Sequence, residues 1–372
     1  MLNDLLAYVR ANSGAAAQTV DIARFSTTSP GAPEAYTRAA YAFGEFSISR
    51  DKRDADYAAR ELMLALTLNP QFNDARVLLA RLRFEQLDGS PERDHLLGEI
   101  VSLTNQVLRS EPNRADAMAL LGEAYWERNE QAQGMALALH ALELAPLNPT
   151  TRSAIGRLYV SSGFFESAIV ENERAFALDA NNVRALGFNI LCSYWTNRPA
   201  DARSLLNRFR EWHPGAQAEL FAVDEQLRAG NFPEAARLIS VGREVANADD
   251  RVDFDIADAL RLALTGKSPE AQRVWELYKD RPPTFWDDLI LLAAQLGQSE
   301  SAVHLLRQNH IYASYRYLAT EHRLSPIYKD ASFQALARER YSRWLADLKR
   351  YGSSLPAAPA AVPLPDDFLN KH

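Results

Sequence analysis

Pro112, Pro146 and Pro214 fall on one 34-residue lattice, and Ala180 occupies the slot left between the last two. Gly122 with Gly156, Tyr125 with Tyr159 and Ala141 with Ala175 repeat at the same 34-residue spacing. Small, aromatic and helix-ending residues that share a period and keep fixed offsets mark a structural unit copied along the chain. The unit is a pair of antiparallel helices. One pair cannot bury its apolar face alone and must stack on its neighbours, so the period confines the chain to an all-α array.

Side-chain volume explains the repeated positions. Gly122 and Gly156 leave room where two helix backbones approach, and Tyr125 and Tyr159, one turn later, supply bulk beside them. Ala141 and Ala175 lie on the second helix of each pair, where the next pair must come close. Pro146 and Pro214 stop helices because they cannot continue the hydrogen-bond ladder.

Read on this lattice, residues 1–33 form an N-terminal helix and a Ser-, Thr-, Gly- and Pro-rich linker, and residues 34–308 form the array. The first pair is expected over 34–48 and 54–68, with Ala58, Leu62 and Ala65 alternating small and large. The interval from Pro70 to Pro112 is eight residues too long, and the polar turn from Leu87 to Asp94 holds the surplus. The best repeats run over 115–128 and 131–144, 149–162 and 165–178, and 183–196 and 199–212. Gly230-Asn231-Phe232-Pro233, Gly266-Lys267-Ser268-Pro269 and Gly297-Gln298-Ser299 read as the turn entering later second helices, giving about seven pairs. Residues 309–352 comprise an irregular segment and a helix that seals the end of the array, and 353–372 is a Pro- and Ala-rich tail, extended or disordered.

Composition narrows the chemistry. With 47% hydrophobic and 24% charged residues the chain is built to fold. A formal charge of -7 argues against a broad nucleic-acid footprint. Arg338, Arg340, Arg343, Lys349 and Arg350 form a local basic stretch, read here as a solvated helix face. Cys192, the single cysteine, permits no internal disulfide or cysteine metal cluster. Neither a secretory signal nor a bilayer-spanning apolar run is visible, so a cytoplasmic chain without membrane insertion is expected. Gly266-Lys267-Ser268 lacks the earlier glycine and strand of a phosphate loop, and the seven histidines show no zinc-binding spacing. No catalytic residue, metal or cofactor is expected.

Leu121-Gly122, Tyr125, Ala141 and Pro146, followed by Ile155-Gly156, Tyr159, Ala168 and Ala175, resemble the tetratricopeptide repeat family over 34–308. That resemblance implies an α-α superhelix whose first helices line a ligand-binding concave face. Ala32-Pro33-Glu34-Ala35-Tyr36 and the stretch from Leu324 to Leu336 are also similar to the repeat domains of bacterial winged-helix regulators and some cyclase-linked sensors. In that family a DNA-binding or catalytic segment precedes the array. Neither is visible here, so a detached or truncated sensory part is expected.

Projecting the repeat register puts Asp116, Glu123, Trp126 and Glu127, then Arg157, then Arg184, Tyr194 and Trp195 on the concave face. Aromatic faces and arginines there would grip an extended peptide or a partner helix, unless Trp126 and Trp195 are packing residues. The family's carboxylate-binding subset places Lys and Asn where this chain has Ala119 and Glu123, which disfavours a terminal-carboxylate ligand. The expected role is a non-catalytic protein or peptide scaffold, or a sensory module, in bacterial signalling or transcriptional regulation. The alternatives are an assembly factor of an envelope complex, or an enzyme with an active site near 310–330 that uses His322. The oligomeric state stays open.

Overall fold

The computed structural model describes residues 31–180, 182–281, 288–309, 311–312 and 314–369. The segment expected to hold an N-terminal helix and most of its linker, 1–30, lies outside the described residues. Every regular element among the described residues is helical. Eight pairs follow one another: α1 (Gly31–Ser49) with α2 (Lys52–Leu68), α3 (Asn73–Glu85) with α4 (Arg93–Ser110), α5 (Ala115–Glu127) with α6 (Gln131–Leu144) and α7 (Pro149–Ser162) with α8 (Phe165–Leu178). They continue as α9 (Val183–Trp195) with α10 (Pro199–Trp212), α11 (Ala216–Arg228) with α12 (Phe232–Val245), α13 (Ala248–Leu264) with α14 (Ser268–Tyr278), and α15 (Asp288–Gln295) with α16 (Ser299–Gln308). The sequence suggested about seven; the last of the eight, whose second helix is entered through the Gly297-Gln298-Ser299 turn, is short, with only eight described residues in α15. A single-turn α17 (Tyr315–Thr320), a 3-10 segment (His322–Ile327), the long α18 (Ala331–Tyr351) and α19 (Pro365–Leu369) complete the chain. No helix among the described residues is long and apolar enough to cross a membrane.

Two compact units divide these elements, one holding residues 1–158 and 171–186, the other 159–170 and 187–372. In the first, Ala58, Leu62 and Ala65 of α2 are buried against Ala35, Ala39 and Phe43 of α1 in one apolar cluster. Close backbone approach is carried by Gly122. A Cβ there would stand 2.7 Å from the carbonyl oxygen of Gly134 and 3.2 Å from the nitrogen of Ala138, both main-chain atoms of α6. Gly134 returns the constraint, since its own Cβ would strike the Gly122 carbonyl. The 34-residue successor of Ala138 is Asn172, whose fully buried amide fills the space beside Gly156.

The turns inside the pairs repeat as faithfully as the helices. Asn129, Gly163 and Asn197, again 34 residues apart, hold φ of 64°, 79° and 56°. The next amide closes back five residues in each, from Glu130 to Tyr125 O at 2.9 Å, Phe164 to Tyr159 O at 2.8 Å and Arg198 to Ser193 O at 2.8 Å. This is the six-to-one bond that ends a helix through a left-handed residue. Gly266, tested above as a possible phosphate loop, sits in the same kind of turn.

The glycines give a prediction of opposite signs. Gly98 in α4 is an exposed helical glycine with open space around its missing side chain. Gly98→Ala should therefore stabilise the chain by about 0.5–1 kcal/mol, whereas Gly122→Ala should destabilise it by about 1–3 kcal/mol because main-chain atoms must move. Urea unfolding of the two variants checks this; a shared sign would contradict the packing described.

In the second unit, α18 packs against α16, the second helix of the last pair, and buries Phe333, Leu336, Ala337 and Trp344. Asp330 caps its start by accepting from the amides of Ser332 at 2.9 Å and Phe333 at 3.3 Å. Tyr328 stacks on Phe333 with centroids 5.5 Å apart. The motif from Leu324 to Leu336 thus encodes the entry into this helix. Residues 355–364 follow without regular secondary structure, bending at 356–357, and α19 buries Phe368 and Leu369.

Candidate functional site

First helices of the pairs supply most of the charged groups in the network of the first unit, with Arg50, Arg93 and Arg114 added from turns and a second helix. In register, Asp74, Asp116 and Arg184 share one position, and Arg81, Glu123 and Arg157 share another. Asp116, half-buried, accepts from Arg114 Nε at 2.7 Å, and the same guanidinium reaches Asp74 at 2.5 Å and Glu111 at 3.0 Å. Burial alone would depress Arg114, but Asp116 and Asp74 outweigh it and raise its pKa.

Glu123 and Glu127 do not reach solvent: they are 0% and 6% exposed. Arg184 lies 3.1 Å and Arg157 4.0 Å from Glu123. Glu127 accepts from Arg157 on one oxygen and Arg93 on the other. Glu85 is held by Arg50 at 3.0 Å, with Arg184 at 3.9 Å. The guanidiniums of Arg157 and Arg184 lie 5.0 and 5.6 Å from the centre of the Phe84 ring, which they share. Burial works against the charge on Arg157, yet Glu127 and Glu123 overcome it and the net shift is upward.

One arginine in this network stands apart. Arg81, half-buried, lies 5.4 Å over the Phe43 ring, and among the described residues no carboxylate stands within ion-pair distance of it. Burial pushes its pKa down and Arg184 pushes it further; Glu85, Asp179 and Glu123 only partly offset them. The network sets Arg50, Arg81, Arg93, Arg157 and Arg184 against Glu85, Glu123 and Glu127, so cations are in excess.

The sequence-selected residues are divided between the two units. Asp116, Glu123, Trp126, Glu127, Arg157 and Arg184 belong to the first unit, and Tyr194 and Trp195 to the second. Both tryptophans are 3% exposed, which corrects the expectation that they present ring faces to a ligand. Trp126 lies where α5 and α6 meet, its main chain against Gly134. Trp195 packs among Phe165, Tyr312 and Tyr317, with centroids 5.0, 5.7 and 5.4 Å away. Bulk and wedge volume, not recognition, fix these rings.

Tyr194, half-buried, lies under the Arg228 guanidinium at 5.4 Å, and burial followed by Glu225 and Asp224 raises its pKa. Arg228 belongs to a ring of four charges whose two carboxylates are buried and whose two arginines are half-buried. It bonds Asp224 at 2.7 Å and Glu321 at 2.7 Å, and Arg323 bonds the same carboxylates at 2.9 and 2.8 Å. Burial would raise Glu321, but Arg228 and Arg323 drive it well below the usual carboxylate range. Asp224 is lowered by the same two partners against its own burial. Beside this ring His322 is exposed, while Tyr312, Tyr315, Tyr317 and Tyr328 are core.

The basic stretch of α18 is partly engaged: Arg338 meets Asp366 at 3.0 Å and Arg343 meets Asp347 at 3.8 Å. Among the described residues no group of His, Cys, Asp and Glu could hold a metal ion. Sequence reasoning passed over Arg81, although shifting the Glu123 register back by one repeat and the eight-residue insertion leads to it. It also missed Asp224, Arg228 and Arg323, which lie where the repeat signal decays.

No protein-family model matches the sequence, and no curated protein is significantly similar to it. Among solved structures the chain is similar to a human IFIT1 dimer with PPP-AAAA, at 15% identity over 85% of this chain and 71% of IFIT1, with a TM-score of 0.56. It is also similar to a tetratricopeptide repeat protein from Parabacteroides merdae, at 13% identity over 73% and 98% of the two chains with a TM-score of 0.46. PilF of Pseudomonas aeruginosa matches at 15% identity over 56% and 92%, with a TM-score of 0.41.

Proposed function

We propose that this chain, by fold an all-α solenoid of the tetratricopeptide kind, is a non-catalytic scaffold that receives an acidic group of a protein or peptide partner on the first-helix face of its first unit. The observation that carries this reading is Arg81. A half-buried cation without a carboxylate partner is already partly desolvated, so an incoming acidic side chain gains a charge-assisted bond at reduced cost. Arg184 adds to the field, and Phe43 provides the apolar wall behind the guanidinium.

Screening the full chain against an array of acidic peptides, with neutral and basic arrays beside it, tests the idea. Acidic peptides should bind, and Arg81→Gln should weaken the best of them by about tenfold or more, the scale of one charge-assisted bond. Equal retention of all three classes, or binding indifferent to Arg81→Gln, would defeat the reading. IFIT1 is solved with a phosphate-bearing RNA, so a 5′-triphosphorylated oligonucleotide belongs in the same experiment. Preferential oligonucleotide binding with a steep salt dependence would assign the cation to phosphate instead.

The setting we infer is bacterial signalling or transcriptional regulation in the cytoplasm, supported by the short motifs around Tyr36 and from Leu324 to Leu336. Residues 34–308 would form the binding array, and 309–352 its closing segment. The competing setting is assembly of an envelope complex, which stable co-purification with such a complex would favour.

A further inference from the structure

Segment 355–364, which bends at 356–357 and continues without a further bend, is held in an unusual way. Ser167 Oγ donates to Ala357 O at 2.7 Å and accepts from Ala357 N at 3.3 Å. Glu166 Oε1 accepts from Ala360 N at 3.2 Å, and Tyr315 donates its phenol proton to Pro363 O at 2.5 Å. All four bonds address main-chain atoms. No side chain of 355–364 is buried, and the first six residues alternate between half-buried and exposed. Only beyond it do Phe368 and Leu369 enter the core, Phe368 against Tyr315 and Tyr328.

The receiving groups are built more firmly than the segment they receive. Glu166 is oriented by Arg316, which is 3% exposed, bonds both carboxylate oxygens, donates to Gly163 O at 3.4 Å and lies 5.0 Å over the Phe165 ring. Tyr315 is 1% exposed and Ser167 1% exposed. Rigid donors and acceptors aimed at a proline-rich backbone whose side chains stay outside recognise extended conformation rather than sequence. Such recognition suits peptides that are already extended, because they lose little conformational freedom on docking.

We propose that Glu166, Ser167 and Tyr315 form a receptor for an extended, proline- and alanine-rich peptide of a partner protein, and that segment 355–364 is its resident, displaceable occupant. Its residues belong to the second unit, whereas Arg81 belongs to the first. A segment that buries no side chain of its own sits at the low-stability end of a fold and exchanges readily once its anchor is released.

The test uses a fluorescent peptide with the sequence of residues 355–369 and the full chain carrying Phe368→Ala and Leu369→Ala. A tethered competitor acts at an effective concentration near millimolar, so the released variant should bind the peptide at least about tenfold more tightly than the unchanged chain. Adding Ser167→Ala and Tyr315→Phe should weaken that binding several-fold. A released variant that keeps its helical circular dichroism yet takes up no peptide would overturn the proposal, as would binding unaffected by the two receptor substitutions. Should the released variant fail to fold, hydrogen exchange on the unchanged chain decides. The amides of Ala357 and Ala360 should be protected relative to Ala358 and Ala361, and millimolar peptide should abolish that protection; protection untouched by peptide refutes displacement.

Discussion

Glu321→Gln is expected to lower the unfolding free energy of the second unit by about 3–5 kcal/mol, the cost of leaving buried charges without their partner. Glu321 is 2% exposed and accepts from Arg228 at 2.7 Å, from Arg323 at 2.8 and 3.0 Å, and from the Arg323 amide at 3.2 Å. Glutamine keeps the shape and removes the charge, so Arg228 and Arg323 would both depend on Asp224. The same ring gives an acid sensitivity. Glu321 and Asp224 hold their protons less tightly when folded than when unfolded. Their contribution is therefore complete above the unfolded carboxylate range, near about pH 4–5, and is lost as pH falls toward the lower folded values. Urea midpoints measured from pH 7 downward should converge for the parent and Glu321→Gln as acid removes what the substitution has already removed. Midpoints that differ by a constant amount at every pH would show that the carboxylate charge is not what matters.

The first unit should respond comparably to Glu127→Gln, by about 3 kcal/mol. Each oxygen of Glu127 takes one arginine, and without that charge Arg157 is left, 7% exposed, with Glu123 at 4.0 Å as its remaining carboxylate. Because the chain holds two compact units, a single unfolding free energy is not assured, and hydrogen exchange resolved by residue is the proper readout. Amides of α5 should lose protection while those of α11 keep theirs. Equal loss in both would contradict an effect confined to one network.

The helix pairs were legible because their signals are local and volumetric. Gly122 and Pro146 must be small or helix-ending wherever two helices meet and turn, and the lattice repeats that need. Gly134 escaped notice because its 34-residue successors, Ala168 and Ala202, show only that the position is small; the need for a glycine is visible only once Gly122 faces it. For charged residues the register located first-helix positions but not their state. A glutamate at position 123 reads as a ligand contact until Arg157 and Arg184 are found covering it. Trp126 and Trp195 were ambiguous for the same reason, since an indole that fills a wedge and one that grips a peptide have the same sequence signature. The ring of Asp224, Arg228, Glu321 and Arg323 joins residues almost a hundred positions apart, beyond the reach of any 34-residue repeat.

Among the charges around Glu85, Glu123 and Glu127 in the first unit, each carboxylate is taken by arginines and Arg81 is left over. Arg81→Gln and Glu127→Gln, compared in parallel by urea unfolding and acidic-peptide binding, test this central claim most directly. Removing an unpaired, partly desolvated cation should leave the unfolding midpoint unchanged or higher while peptide affinity falls about tenfold, the pattern of a residue kept for binding at some expense of stability. Glu127→Gln should do the reverse to stability. An Arg81→Gln chain destabilised as much as Glu127→Gln, with its peptide affinity intact, would place Arg81 inside the structural network and contradict the claim.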